Sequence, residues 1–334
     1  MTSKTIVRFL KGVGVCVTTA LLLQTGASAQ AQLPGRNLAT IIVPYPAGSA
    51  FDIVARRIQP ELGKKLAKTI IVENFGGASG SMGAQRLLNA DIGTLTILIG
   101  SPNELTLPPL TLQSVRYKPE DFRMVAQLSV GALAIMTRPH FPASSLNELI
   151  EKATRPDAKP LAYASTGVGS IFHLAGADFA KRLGIGTTHI PYKGGAPAIQ
   201  DLMADQVDIT FLPLIPSYIQ AAKEGKIKVL GIMSTERHAG LPDVPSVDSV
   251  AALRGFHYSM WTGLFVSSKV PKETAQIIGT ETNKIVATPS YREWVGERGN
   301  SAGALMDLDQ AAQYFHTESS RFERLARDIK IDRE

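Results

Sequence analysis

Two stretches of small residues stand where a strand would open into a helix, and both could hold an anion. The first runs Pro44-Tyr45-Pro46-Ala47-Gly48-Ser49-Ala50-Phe51-Asp52, and the second runs Ser165-Thr166-Gly167-Val168-Gly169-Ser170. Such a loop aims several backbone N–H groups at whatever lies above it, and the following helix adds the positive end of its dipole. The chemistry is capture rather than conversion. Each helix-terminal contact with a carboxylate is worth about 0.3–1 kcal/mol at an exposed site, whereas micromolar affinity needs about 8 kcal/mol. Donors from both loops are therefore needed to make one receptor. Each loop also has a plainer use, in which Asp52 and Ser170 cap the helix that follows. Asp52 would repel a carboxylate, so as a ligand group it suits an ammonium or a hydroxyl.

Residues for covalent or metal chemistry are not arranged for it. The strings nearest to a G-x-S-x-G elbow, Gly77-Ala78-Ser79-Gly80-Ser81 and Gly169-Ser170-Ile171, lack the closing glycine. Gly77, Gly80 and Gly83 are three apart, which is not the spacing of a dinucleotide fingerprint, and neither an H-E-x-x-H nor a P-loop occurs. His140, His173, His189, His238, His257 and His316 form no i, i+4 pair. The chain reads as a non-enzyme with no cofactor and no metal.

The elements that must position the two loops follow from hydrophobic periodicity. Short apolar or β-branched runs at 40–43, 69–73, 96–99, 133–137, 161–164, 188–191, 209–211 and 229–233 alternate with amphipathic stretches at 52–66, 80–89, 146–153, 170–183, 197–205 and 215–224. That alternation predicts an α/β fold with a mainly parallel sheet covered by helices, followed by a helical block from 272 onward. At the N-terminus, Lys4, Arg8 and Lys11 precede an apolar run over 12–23 and then Ala27-Ser28-Ala29, the order of a secretory signal. The run falls short of the roughly 20 residues that cross a bilayer, so cleavage near Ala29 and release into the periplasm are expected. Cys16, the only cysteine, leaves with that segment. What remains carries 32 basic and 29 acidic residues, a net charge of +3 with no basic run, which argues against nucleic-acid binding. About 305 residues exceed what one core supports, so two lobes are expected.

Five blocks in order resemble the Bug-type solute receptors of tripartite tricarboxylate transporters. They are 43–48 with 52–56, 72–74 with 77–84, 163–170 with His173-Leu174-Ala175-Gly176, Ile190-Pro191-Tyr192-Lys193-Gly194-Gly195-Ala196-Pro197-Ala198, and 241–247. The resemblance covers about 36–331. It implies a two-lobed periplasmic-binding-protein fold, type II-like, in which the chain crosses between lobes twice. Residues 36–132 and 261–334 would form one lobe and 133–260 the other, after a signal peptide at 1–29. It also implies an extracytoplasmic receptor, working as a monomer, that hands a small carboxylate to membrane transporter subunits. A sensor that docks on a signalling kinase needs the same clamshell and is the alternative, with an exported hydrolase behind it. Carried over by motif, the ligand would meet Tyr45, Ala47, Gly48, Ser49, Asp52, Ser79 and Ser101 of the first lobe. From the second it would meet Ser165, Thr166, Gly167, Ser170 and Tyr192, while His173 could support that loop or face the cleft. Phe51, Pro108-Pro109 and Leu212-Pro213 depart from the family pattern, which points to an aromatic or bulky acid.

Overall fold

The computed structural model describes Leu33, residues 37–91 and residues 93–329. The export signal read at 1–29, with its cleavage point and Cys16, lies outside the described residues. Eleven strands are described: β1 (Leu38–Val43), β2 (Thr69–Asn74), β3 (Leu95–Gly100), β4 (Phe122–Ala132), β5 (Ala134–Thr137), β6 (Leu161–Ser165), β7 (Thr187–Pro191), β8 (Ile209–Thr210), β9 (Lys228–Ile232), β10 (Ser259–Ser267) and β11 (Ser301–Ala302). The α-helices are α1 (Ala50–Leu66), α2 (Ser81–Leu88), α3 (Pro102–Leu105), α4 (Pro108–Thr111), α5 (Leu146–Ala153), α6 (Ile171–Leu183), α7 (Gly195–Met203), α8 (Pro216–Lys223), α9 (Lys272–Val286), α10 (Pro289–Gly296) and α11 (Leu308–Ile329). Among the described residues no helix is long and apolar enough to cross a membrane.

The strands form two sheets, ordered β11-β4-β10-β3-β1-β2 and β7-β6-β8-β5-β9. Each is mixed rather than mainly parallel. β1 pairs in parallel with β2 and β3, as does β6 with β7 and β8, because helical crossovers connect them. β10 is antiparallel to β3 and β4, and β5 is antiparallel to β8 and β9. β4 and β10, the long pair, lie outside the strands that periodicity predicts. Their apolar pattern is broken by Gln127, Ser129 and Thr262, all buried. Each of them finds a partner: the Ser129 and Thr262 hydroxyls lie 2.6 Å apart, and Gln127 Oε1 accepts from Ala304 N–H at 2.9 Å.

The first sheet is covered on both faces, as the period-2 alternation of its strands requires. Ala39, Ile41 and Val43 of β1 enter one apolar cluster with Ile97 and Ile99 of β3, while Ile42 and Leu98 enter another with Trp261 and Phe265. A third cluster surrounds the second sheet. α11 serves all three: Leu308 sits in the first, Ala311 and Phe315 in the second, and Phe322 and Ala326 in the third. The chain passes from sheet to sheet where β4 gives way to β5 and where residue 258 leads into β10. There Leu133 N–H donates to Tyr258 O at 3.3 Å and Tyr258 N–H to Met233 O at 3.0 Å, so the two passages run side by side.

Candidate functional site

The loop between β1 and α1 is closed by its own acid. Ser49 caps α1 by accepting from Asp52 N–H at 3.3 Å, which is the reverse of Asp52 acting as the cap. The Asp52 carboxylate is buried and accepts from Arg56 Nε at 3.0 Å, Gly48 N–H at 2.9 Å and Asn74 Nδ2 at 3.0 Å. The Arg56 hydrogen bond is the main reason its carboxyl is held below the usual range. The amide of Gly48 is thus spent on a carboxylate of the protein itself. Ala47, Gly48, Ser49 and Asp52 line no part of the cavity described below.

Tyr45 instead turns inward. Its ring packs on Phe51 at 4.8 Å between centroids, and its hydroxyl donates to Glu104 Oε1. Glu104 follows from a Ser-x-x-Glu capping box at α3: its Oε2 accepts from Ser101 N–H at 2.6 Å and from Ser101 Oγ at 2.8 Å. Gly80, with φ of +85°, covers it, since a Cβ there would lie 2.4 Å from Glu104 Cγ. Burial raises the Glu104 pKa to about 7 against the opposing pull of these hydrogen bonds, and burial with Glu104 nearby also raises that of Tyr45. Beside Gly80, Ser79 holds a left-handed φ of +54°, a conformation that costs a residue with a side chain about 1–3 kcal/mol.

Across the cleft, Ser170 caps α6 by accepting from His173 N–H at 3.2 Å. Ser165 is buried behind the loop and meets His189 Nε2 at 2.6 Å. Gly169 N–H donates to His173 Nδ1 at 3.1 Å, so His173 supports the loop. Tyr192 is engaged elsewhere: its hydroxyl donates to Asp201 Oδ2 at 2.6 Å, and burial together with that carboxylate pushes it up to about 12.

These parts enclose a cavity of about 310 Å³. Its walls are Tyr45, Ser79, Asn103, Leu107, Pro108 and Thr111 on one side and Thr166, Gly167, Val168, Gly169, Ser170, Lys193 and Gly194 on the other. Of the residues expected from sequence, the cavity gathers Tyr45, Ser79, Thr166, Gly167 and Ser170. Ser101, Ser165 and Tyr192 stand behind it, in the hydrogen bonds just described. The two walls touch. Ile171 N–H donates to Asn103 Oδ1 at 3.3 Å, and a Cβ on Gly169 would lie 2.4 Å from Thr111 Cγ2.

Sequence reasoning passed over Asn103, Leu107, Thr111, Lys193 and the buried Glu104. The capping box at Ser101 could have disclosed α3. Lys193, exposed, is the one charged side chain among the lining residues. Of the departing residues, Pro108 lines the cavity, whereas Phe51 and Leu212 are buried in the apolar clusters and Pro213 bridges to Leu133. A larger hollow of about 670 Å³ between α8, residues 234–240 and residues 296–301 shares no residue with this cavity. It includes none of the residues expected from sequence, whereas the smaller one gathers five of them. Among the described residues no cluster of three His, Cys, Asp or Glu side chains could hold a metal ion.

The family model described as tripartite tricarboxylate transporter family receptor matches residues 54–331. The chain is similar to the protein in the tcbD-tcbE intergenic region of Pseudomonas sp. (strain P51), at 29% identity over 330 residues, covering 97% of this chain and 95% of that one. Among solved structures, the periplasmic binding protein BugD is 26% identical with a TM-score of 0.71, covering 89% of this chain and 99% of BugD. MatC from Rhodopseudomonas palustris, with bound malate, is 28% identical with a TM-score of 0.70, covering 86% of this chain and 98% of MatC. The chain thus shares the two-lobed periplasmic-binding-protein fold.

Proposed function

Because the chain belongs to the tripartite tricarboxylate transporter receptor family, we propose that it captures a small carboxylate between its two lobes in the periplasm and delivers it, as a monomer and without catalysis, to the membrane subunits of such a transporter. The observation that carries this reading is the cavity in which loops from both sheets converge and Lys193 is the one charged lining residue. On this reading the described residues up to 132 and from 261 onward make one lobe and 133–260 the other, with the last turns of α11 laid against the second. The acid's carboxylate lies by Thr166, Gly167 and Ser170, at the N-terminus of the 13-residue α6, where the helix dipole favours negative charge. Lys193 adds a cation whose value grows as closure excludes water.

Leu107, Pro108 and Val168 give the acid's body an apolar wall. A volume of about 310 Å³ is at the small end of ligand sites, which run from about 300 to 1,000 Å³. The apolar wall favours an acid with an apolar body, such as benzoate, over citrate. Calorimetry of the purified receptor with benzoate, malate, aspartate and citrate tests this. Benzoate-like acids should bind, and Lys193→Ala should weaken them about fivefold to tenfold, the worth of about one ion pair. Binding of citrate or aspartate alone would overturn the apolar-bodied acid, and binding of no acid would overturn carboxylate capture.

A further inference from the structure

The loop 166–170 rests on a stack of three rings. Tyr163 of β6, His189 of β7 and His173 of α6 follow one another, with centroids 4.9 Å apart for the first pair and 3.9 Å for the second, the two imidazoles within 4° of parallel. Gly176 makes room for the stack, since a Cβ there would lie 2.2 Å from Tyr163 Cε2. Two ring nitrogens reach the loop. His189 Nε2 bonds Ser165 Oγ, which also accepts from Gly167 N–H at 3.1 Å, and His173 Nδ1 accepts from Gly169 N–H.

The two contacts differ in what they demand of the rings. A hydroxyl can turn its proton, so Ser165 serves His189 as donor or as acceptor. A backbone N–H only donates, so Nδ1 of His173 must keep its lone pair and the ring proton must sit on Nε2. The amide held in this way belongs to the residue that meets Thr111 across the cleft, in a left-handed conformation with φ of +73°.

We propose that His173 is a positioning residue of the receptor: its bare Nδ1 fixes Gly169 where the lobes meet, and protonation there frees the loop and loosens the closed cleft. The proposal takes from the functional reading only that the loop forms one wall of the ligand site. The groups facing the imidazoles are Tyr163 and Ser165 of β6 and each other, and no carboxylate, lysine or arginine contributes to either shift. Burial holds His173 below its ordinary range, while burial and then the neighbouring His173 push His189 down to about 4. The rings are therefore neutral at pH 7, and acid is needed to charge them.

The test uses the full chain without ligand, so its outcome does not depend on which acid binds. Imidazole ¹⁵N shifts at pH 7.5 should show His173 bare at Nδ1 and protonated at Nε2. Amide exchange at Gly169 should be at least tenfold faster in His173→Phe, which keeps a ring in the stack. After correction for intrinsic rates, wild-type protection at Gly169 should fall as pH drops below the ordinary imidazole pKa of about 6.5, and the variant should show no such fall. An Nδ1–H tautomer, or Gly169 exchange within twofold in the two proteins, overturns the proposal. Should His173→Phe lose protection in β1 to β3 as well, the wild-type tautomer and pH profile decide.

Discussion

Gly169→Val is expected to weaken ligand binding at least a hundredfold while lowering stability by only about 1–2 kcal/mol. The stability loss is that of placing a side chain on a left-handed backbone. The affinity loss has another source, because the new Cβ would stand 2.4 Å from Thr111 Cγ2, inside the contact that brings the two walls together. A hundredfold corresponds to about 2.7 kcal/mol, within what overpacking a close contact costs. Calorimetry with the best acid of the panel measures it, and Thr111→Gly in the same chain should recover part of the loss. Unchanged affinity would mean that residues 169 and 111 do not meet in the liganded receptor.

Glu104→Gln is expected to reshape the pH dependence of stability. Folding raises the Glu104 pKa from 4.5 to about 7. Across that window the folded protein keeps a proton that the unfolded chain has released, so this residue lowers stability as pH rises. The shift corresponds to about 3 kcal/mol in total. His189, lowered from 6.5 to about 4, acts with the opposite sign: the unfolded chain binds the extra proton, and stability rises with pH over that interval. The two slopes offset one another in the wild type. Glutamine retains partners for Tyr45 and Ser101 but does not titrate, so the variant should gain about 3 kcal/mol on wild type between pH 4.5 and 8. Urea unfolding at the two pH values reads this difference, and parallel curves would place the Glu104 titration elsewhere.

Much of the scaffold was legible because its physics is local. β1, β3 and β6 announce themselves as short apolar runs bounded by glycine or proline, and the loops after β1 and β6 as small residues ahead of amphipathic helices. β4 and β10 were hidden because their polar positions are buried and satisfied across the pair, as with Ser129 and Thr262, which only pairing reveals. Asp52 looked like a cap or a ligand group. That Arg56 and Asn74 make it an internal anion depends partly on an i, i+4 spacing visible in sequence and partly on β2, which is not. Glu104 was the hardest to foresee. Its capping box is local, but its burial comes from Tyr45 and Gly80, 59 and 24 positions earlier in the chain. Phe51 stands out as a departure from the family pattern next to Asp52, yet the first turn of α1 carries it into the apolar cluster.

The passages between the sheets run together as paired backbone, and α11 reaches from one set of apolar residues to the other. A door on a single pin swings freely, whereas one hung on a ribbon and propped by a rod has a preferred arc and a stop. Paired strands yield to twist more readily than to in-plane bending, and a helix packed at both ends resists being stretched. Under the proposed function, the gap between Thr111 and Gly169 at closure is set by the frame rather than by the guest. A receptor built so would act as a gauge, sorting acids by span before any side chain reads their chemistry.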